Sequence, residues 1–204
     1  MAQYFENDKN IKSKEEKRKV YIKNKEFVFL TDNGVFSKKG LDFGTRTLLE
    51  ALPNDISGKF LDIGCGYGPI GIFLKKTYDA DVDMIDVNLR SLKLSKKNAE
   101  LNKVNINAFE SDAYQNVNEK YDYIITNPPI RVGKEKLYEI LIGAKEHLKE
   151  NGKLYFVINK NQGAKSVIKD LEKIYKIDVL EKNKGFFIIL AYINWQVVFY
   201  LLKL

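Results

Sequence analysis

The sequence predicts an α/β domain, a parallel sheet with helices on both faces, and three observations predict it. From residue 59 onward, strand-like and helix-like segments alternate at the spacing of βαβ units. The first of those strands runs through a glycine-rich turn into its helix, the junction where such folds hold a nucleotide. The length, 204 residues, supplies one full hydrophobic core of this kind but not two comfortable ones.

Taken in order, residues 19–22 and 27–30 read as short strands around a turn at Asn24. Gly34-Val35-Phe36-Ser37 is a connector. Residues 40–52, ending before Pro53, carry helical spacing in Leu41, Leu48, Leu49 and Leu52. Residues 59–63 are a buried strand, 69–77 a helix, 82–87 a strand and 89–102 a long helix. A weaker strand at 106–109 precedes a strand at 121–126, a helix at 134–148 and a strand at 153–158. A helix at 162–175 and strands at 177–180 and 186–191 close the pattern. With no repeat and no Pro- or Ser-rich linker, one domain is expected over 19–191. A flexible basic arm (1–18) precedes it and an atypical apolar tail (192–204) follows it.

Residues 185–204 are nearly all apolar, interrupted by Asn194, Gln196 and Lys203. A membrane span needs about 20 apolar residues, so the length is borderline. The two central polar side chains, and the strand the sheet needs from this stretch, argue against a span. The tail is expected to pack on the body or on a second subunit as a homodimer contact.

Cys65 is the only cysteine, so no internal disulfide forms and a reducing, cytoplasmic setting is expected. His147 is the only histidine, which excludes thiolate–imidazole metal clusters; no metal is expected. Late in its helix, it reads as a surface residue rather than a base. The polar N-terminal residues 1–25 lack the apolar core of a signal peptide. The net charge of +7 suits a polyanion such as RNA without establishing one. The excess is lysine, and only Arg18, Arg46, Arg90 and Arg131 offer the bidentate phosphate geometry of a guanidinium.

The glycine turn, Asp62-Ile63-Gly64-Cys65-Gly66-Tyr67-Gly68-Pro69-Ile70-Gly71, passes from strand to helix. Gly64, Gly66 and Gly68 permit positive φ and remove side chains where a ligand meets the backbone. Pro69 suits a first helical turn, whose N–H has no partner to lose. Taken alone the turn is ambiguous, because residues 66–71 also satisfy the dinucleotide pattern G-x-G-x-x-G. Asp86, with Val87 after it, ends the next strand about 20 residues on, where it can accept ribose hydroxyls of either cofactor class. Asp62 tilts the choice: an acid there disfavours a pyrophosphate and can bind a methionine ammonium. Asp112, in Ser111-Asp112-Ala113 after the third strand, can accept from an adenine amino group.

At the end of the fourth strand stands Asn127-Pro128-Pro129-Ile130. Loops at the carboxyl ends of parallel strands face the ligand crevice. The prolines lock φ, and Pro128 pushes Asn127 towards extended geometry. The loop thus offers an incoming amino group two acceptors, the Asn127 side-chain oxygen and the Pro128 carbonyl. Such acceptors can hold the N–H bonds of an exocyclic amine so that its lone pair meets a sulfonium methyl. Alignment and charge stabilisation then replace a general base.

Together, Gly34-Val35-Phe36-Ser37, Leu41-Asp42-Phe43-Gly44, residues 62–71 and Asn127-Pro128-Pro129-Ile130-Arg131 resemble the RsmC-like small-subunit ribosomal RNA guanine-N2 methyltransferases, in their short single-domain bacterial form. The likeness spans about residues 19–191. It implies a Rossmann-like class I methyltransferase fold, seven strands mostly parallel with the last antiparallel. It implies S-adenosyl-L-methionine as cofactor, held by Asp62, Gly64, Cys65, Gly66 and Gly68 around the methionine part. Asp86 and Val87 would sit at the ribose, Asp112 and Ala113 near adenine, and Asn127 beside the methyl group. Asn127 and Pro128 would bind the target amine, with Phe36, Pro129 and Ile130 around its ring. Arg131 and Lys134 would meet neighbouring phosphates of ribosomal RNA or the small subunit, and Lys160, Asn161 and Gln162 lie at the same edge.

The chain departs from that pattern in three places. Ile130 stands where many amino-methyltransferases carry an aromatic that stacks on a flipped base, leaving stacking to a residue such as Phe36. Two-domain relatives carry an additional N-terminal domain, and the apolar ending is unlike the usual charged one. Adenine N6 and a protein glutamine amide fit the same two acceptors as guanine N2. An RNA-binding assembly factor without turnover is the alternative of another class.

Overall fold

The computed structural model describes residues 11–129 and 133–193. A hairpin comes first: β1 (Glu16–Ile22) pairs antiparallel with β2 (Lys25–Thr31) through a turn at Lys23 and Asn24, both at positive φ. The remaining strands form one seven-stranded sheet, β3 (Lys59–Ile63), β4 (Asp81–Asp86), β5 (Asn107–Glu110), β6 (Tyr121–Thr126), β7 (Leu148–Asn159), β8 (Lys176–Asn183) and β9 (Phe186–Tyr192). Its order is β5-β4-β3-β6-β7-β9-β8. Only β9 runs against the rest, antiparallel to both β7 and β8, because the tight β8–β9 hairpin inserts it between them. Strand order reverses between β3 and β6, so a crevice opens beyond their carboxyl ends.

Alternate strand residues face opposite layers, as a two-faced sheet demands. Phe60, Ile125 and Tyr155 pack towards α1 (Phe43–Ala51), α2 (Pro69–Tyr78) and α3 (Leu89–Leu101). Leu61, Ile124 and Phe156 pack towards α4 (Lys134–His147) and α5 (Ala164–Leu171). Both faces are therefore covered, which explains the near-continuous apolar runs of β3 and β6.

The hairpin is not a member of the main sheet. Asn98 of α3 and the helix's C-cap residue, Asn102, anchor it in place of a partner strand. Asn98 accepts the N–H of Leu30 at 2.6 Å and donates to its carbonyl at 2.9 Å. Asn102 does the same to Val28 at 3.1 and 2.7 Å. Asn98 also donates to the carbonyl of Tyr67 at 2.8 Å, tying the hairpin to the glycine turn.

The expected boundaries shift at both ends. β1 begins at Glu16, and residues 11–14 are held rather than loose. Arg90 donates to the carbonyls of Ile11 (2.6 Å) and Asn33 (2.9 Å), while Ser13 donates to Asp32 at 2.8 Å. At the other end Tyr192 still belongs to β9 and Ile193 is buried, so the domain reaches past residue 191. The rest of the expected tail, 194–204, lies outside the described residues. The helix expected over 162–175 is shorter, Ala164–Leu171, preceded by a 3-10 turn that Asn159 caps. Among the described residues no helix is long and apolar enough to cross a membrane.

Candidate functional site

A cavity of about 520 Å³ opens at the carboxyl ends of β3, β4, β5 and β6. Its floor is the turn between β3 and α2. The amides of Gly64 and Cys65 both donate to the Ile85 carbonyl at 2.9 Å, folding the turn over the end of β4. Gly64 (φ +68°) and Gly66 (φ +55°) line the cavity in a left-handed conformation that a side chain would strain. A Cβ on Gly66 would meet no atom within 4 Å; it would stand in the cavity itself. Gly68 and Gly71 do different work. A Cβ on Gly68 would crowd Ile72, Met84 and Ser95, and one on Gly71 would collide with Met84, so these glycines let α2 lie close on β4.

Asp62 is fully buried beneath the turn and does not line the cavity. One carboxyl oxygen accepts the Gly71 N–H at 2.8 Å, and the other has no hydrogen-bond partner among the described residues. Burial pushes its carboxyl up to about 8, against the partial relief of the Gly71 bond. Its bond to Gly71 supports the glycine turn from beneath.

Asp86 stands at the cavity wall. Its two oxygens accept the N–H of Gly66 and of Asn88, each at 2.8 Å. Burial raises its carboxyl above the ordinary value. The lone pairs these bonds leave free can accept a diol. Val87 continues the wall. Ser111, Asp112 and Ala113 form the far side, with Ala113 at φ 45°, an uncommon conformation for alanine. Lys136 of α4 pairs with Asp112 at 2.8 Å and lines the cavity too; nothing in its sequence context marked it.

Asn127, Pro128 and Pro129 bound the cavity where the β6 strand ends. Thr126 donates to the Ile63 carbonyl at 2.8 Å, holding the start of this loop against the glycine turn. Facing Asn127 is the first turn of α1, with Asp42 and Thr45 in the cavity wall. Asp42 caps α1 by accepting the amides of Gly44 (2.9 Å) and Thr45 (3.3 Å). Asn127 Nδ2 donates to Thr45 Oγ1 at 2.9 Å. The helix was expected from residue 40, with Asp42 inside it; Asp42 instead caps a helix that begins at Phe43. The contact of Thr45 with Asn127, 82 residues away, had no sequence signal.

Two aromatic rings border the mouth. Phe36 is 41% exposed, and Phe186, at the start of β9, packs against Phe43 with ring centroids 5.7 Å apart. Phe186 had no sequence signal, because period-2 alternation cannot tell which end of a strand meets a crevice. Gln162 joins the wall, and Lys160 packs along Gly185 at the same edge. Lys134 is away from the cavity wall, with its ammonium 5.0 Å from the Tyr138 ring centroid. His147 stacks on Tyr114 at 4.3 Å, outside the cavity. Ile130 and Arg131 lie outside the described residues. Among the described residues no group of three or more His, Cys, Asp or Glu is placed to hold a metal.

The donor set fits a nucleoside bearing a positively charged group better than a dinucleotide. Asp86 and Asp112 place carboxyl groups at this end of the crevice, which opposes a pyrophosphate. The open Cβ position of Gly66 leaves room for a ligand to touch the backbone.

Comparison with known proteins agrees with that geometry. Residues 26–190 match the family model of the methyltransferase small domain. The chain is 42% identical over 194 residues to the uncharacterized protein YbxB of Bacillus subtilis, covering 92% of this chain and 96% of that one. It is 36% identical over 168 residues to the ribosomal RNA small subunit methyltransferase C of Psychromonas ingrahamii, covering 80% of this chain and 48% of the relative. A solved structure of the T. thermophilus 16S rRNA N2 G1207 methyltransferase (RsmC), in complex with AdoMet and guanosine, superposes with a TM-score of 0.79 at 26% identity. That match covers 88% of this chain and 51% of the other. The chain thus spans about half the length of these two ribosomal RNA methyltransferases.

Proposed function

The chain belongs to the methyltransferase small domain family, a class of S-adenosylmethionine-dependent enzymes, and from that premise we propose that it methylates an exocyclic amino group of ribosomal RNA, guanine N2 of the small subunit. The observation that carries this reading is the half-buried Asn127 amide at the cavity wall, with its nitrogen end occupied by Thr45 and its oxygen end left to accept. Likeness to ribosomal RNA small subunit methyltransferase C and to a guanosine-bound enzyme supports the choice of base.

S-adenosylmethionine, when bound, supplies a methyl group on a sulfonium centre. Asp86 would hold the ribose hydroxyls, Asp112 the adenine amino group, and Gly64 and Gly66 the methionine part through their backbone. Asp62 would support this turn from behind. Asn127 Oδ1 and the Pro128 carbonyl would accept the two N–H bonds of the target amine. Its lone pair is delocalised into the base, and those bonds turn it out of the ring plane and stabilise the positive charge that develops on nitrogen. No side-chain base is required before the methyl is transferred.

With Ile130 in the fourth place of the tetrapeptide, Phe186 and Phe36 at the mouth would grip the flipped base instead. The +7 charge would favour the phosphate backbone.

The test is transfer of labelled methyl to small ribosomal subunits from a strain lacking the gene, with the modified nucleotide identified by mass spectrometry. Asn127→Ala should abolish transfer and leave S-adenosylmethionine binding, read by calorimetry, largely intact. Label on adenine or on a protein would refute guanine, and equal loss of binding and turnover would make the loop structural.

A further inference from the structure

Asp42 and Thr45 lie outside the cofactor-binding turn, yet the structure seats both against the amide of Asn127. Thr45 is buried, 3% exposed, and its hydroxyl donates to Asp42 Oδ2. A hydroxyl has a single proton. Having given it to Asp42, Thr45 Oγ1 can only accept from a third group, and it accepts Asn127 Nδ2 at 2.9 Å. The same nitrogen stands 3.3 and 3.5 Å from the two carboxylate oxygens of Asp42. The three side-chain oxygens around Asn127 Nδ2 are thus all acceptors towards it.

A primary amide is a donor at one end and an acceptor at the other. Acceptors on one side leave only one orientation without repulsion: Nδ2 towards the α1 cap and Oδ1 away from it. We infer that Asp42 and Thr45 are positioning residues for methyl transfer, fixing the polarity of the Asn127 amide so that its oxygen meets the amino group to be methylated. This rests on the reading of Asn127 as the acceptor for that amine. The direction of the relay is set at its root, where the Asp42 oxygens accept the amides of Gly44 and Thr45 and the Thr45 hydroxyl. Two side chains from a helix cap thereby determine which end of a catalytic amide the substrate finds, a support of the kind a preorganised site needs.

The relay can be reversed without removing the cap. Asparagine caps helices about as well as aspartate. In Asp42→Asn the side chain at 42 can donate to Thr45, Thr45 can donate to Asn127 Oδ1, and the amide can present its NH2 to the substrate. Thr45→Val deletes the relay at nearly constant shape, and Thr45→Ser keeps the hydroxyl. Misorienting a reacting group costs up to about 10²-fold in rate. The expected result is a fall in kcat of that order for Asp42→Asn and Thr45→Val, with S-adenosylmethionine affinity by calorimetry little changed. Thr45→Ser should restore most of kcat. The Asn127 side-chain 15N signal, assigned by its absence in Asn127→Ala, should shift in Thr45→Val. Unchanged kcat in the first two variants overturns the inference and leaves the proposed function standing, as does a parallel loss of cofactor affinity. If the wild type transfers no methyl to ribosomal RNA, the proposed function fails instead. The amide signal then decides: insensitivity to Thr45→Val overturns the positioning role, and a shift supports it.

Discussion

The carboxylate of Asp62 accepts the N–H of Gly71 at 2.8 Å from beneath the glycine turn, so the acid that precedes the glycines serves the turn's own backbone. Its second oxygen is buried without a partner among the described residues, and burial pushes the carboxyl up to about 8. Between the ordinary value of 3.8 and about 8, the folded chain keeps a proton that the unfolded chain has released. Stability therefore falls as pH rises through that window, at up to about 1.4 kcal/mol per pH unit. Asp62→Asn keeps an acceptor for Gly71 and is neutral throughout. Its melting temperature should exceed that of the wild type increasingly from pH 5 to pH 8 in the absence of ligand. Parallel melting curves would show that Asp62 titrates normally.

Asp86 should matter more for binding than for folding. It joins the glycine turn to the start of α3 by accepting from Gly66 and Asn88, and it faces the cavity. Hydrogen bonds to a charged group contribute about 1.5–3 kcal/mol each. Asp86→Ala should weaken S-adenosylmethionine binding by roughly 10- to 100-fold or more, on the scale of 1.4 kcal/mol per decade. Titration calorimetry reads this directly, and a change under threefold would remove Asp86 from the site.

Gly44 offers a probe of the ring at the mouth. A Cβ there would stand 2.9 Å from two atoms of the Phe186 ring, so Gly44→Ala must push that ring aside. If Phe186 grips the base, the variant should raise KM for RNA while S-adenosylmethionine affinity stays near wild type. Base stacking on an aromatic contributes about 1–3 kcal/mol, so Phe186→Ala should raise KM by roughly 5- to 100-fold. Steady-state kinetics with a ribosomal substrate separate the two constants, and an unaltered KM in both variants would place the base elsewhere.

The fold was legible wherever burial on both faces left a continuous apolar run. β3 and β6 fall on the expected residues, 59–63 and 121–126, because each is flanked by charge or turn residues and packs between two helical layers. The glycine turn and Asn127-Pro128-Pro129 were legible because their chemistry is local: positive φ, a locked φ, a strand end. Phe186, Thr45 and Lys136 were not, since each enters the site through a contact between residues distant in sequence. Asp62 was legible as part of the turn, but not its bond to Gly71. Its position before the glycines does not tell whether the carboxylate faces the ligand or the backbone, and the 2.8 Å bond to Gly71 turns it inward. The long β7 was read short because Asn151 at φ 64° and Gly152 interrupt its apolar pattern without ending its pairing.

The hairpin supplies the last prediction, because it is held by side chains where a sheet would use backbone. Asn98 is fully buried and satisfies three backbone groups: the N–H and carbonyl of Leu30 and the carbonyl of Tyr67. Asn98→Ala leaves all three without that partner and opens a polar gap. An unsatisfied buried group costs about 1–3 kcal/mol, so a loss on the order of 3 kcal/mol is expected. In a domain of this size that lowers the melting temperature by roughly 6–12 °C. Since Tyr67 belongs to the glycine turn, the same variant should also bind S-adenosylmethionine less tightly, coupling the hairpin to the site. Asn102→Ala breaks only the bonds to Val28 and to the Asn98 carbonyl within α3. It should therefore destabilise the fold with less effect on the cofactor. Calorimetric melting and binding on both variants decide the point: equal losses of affinity would mean that the turn does not depend on Asn98.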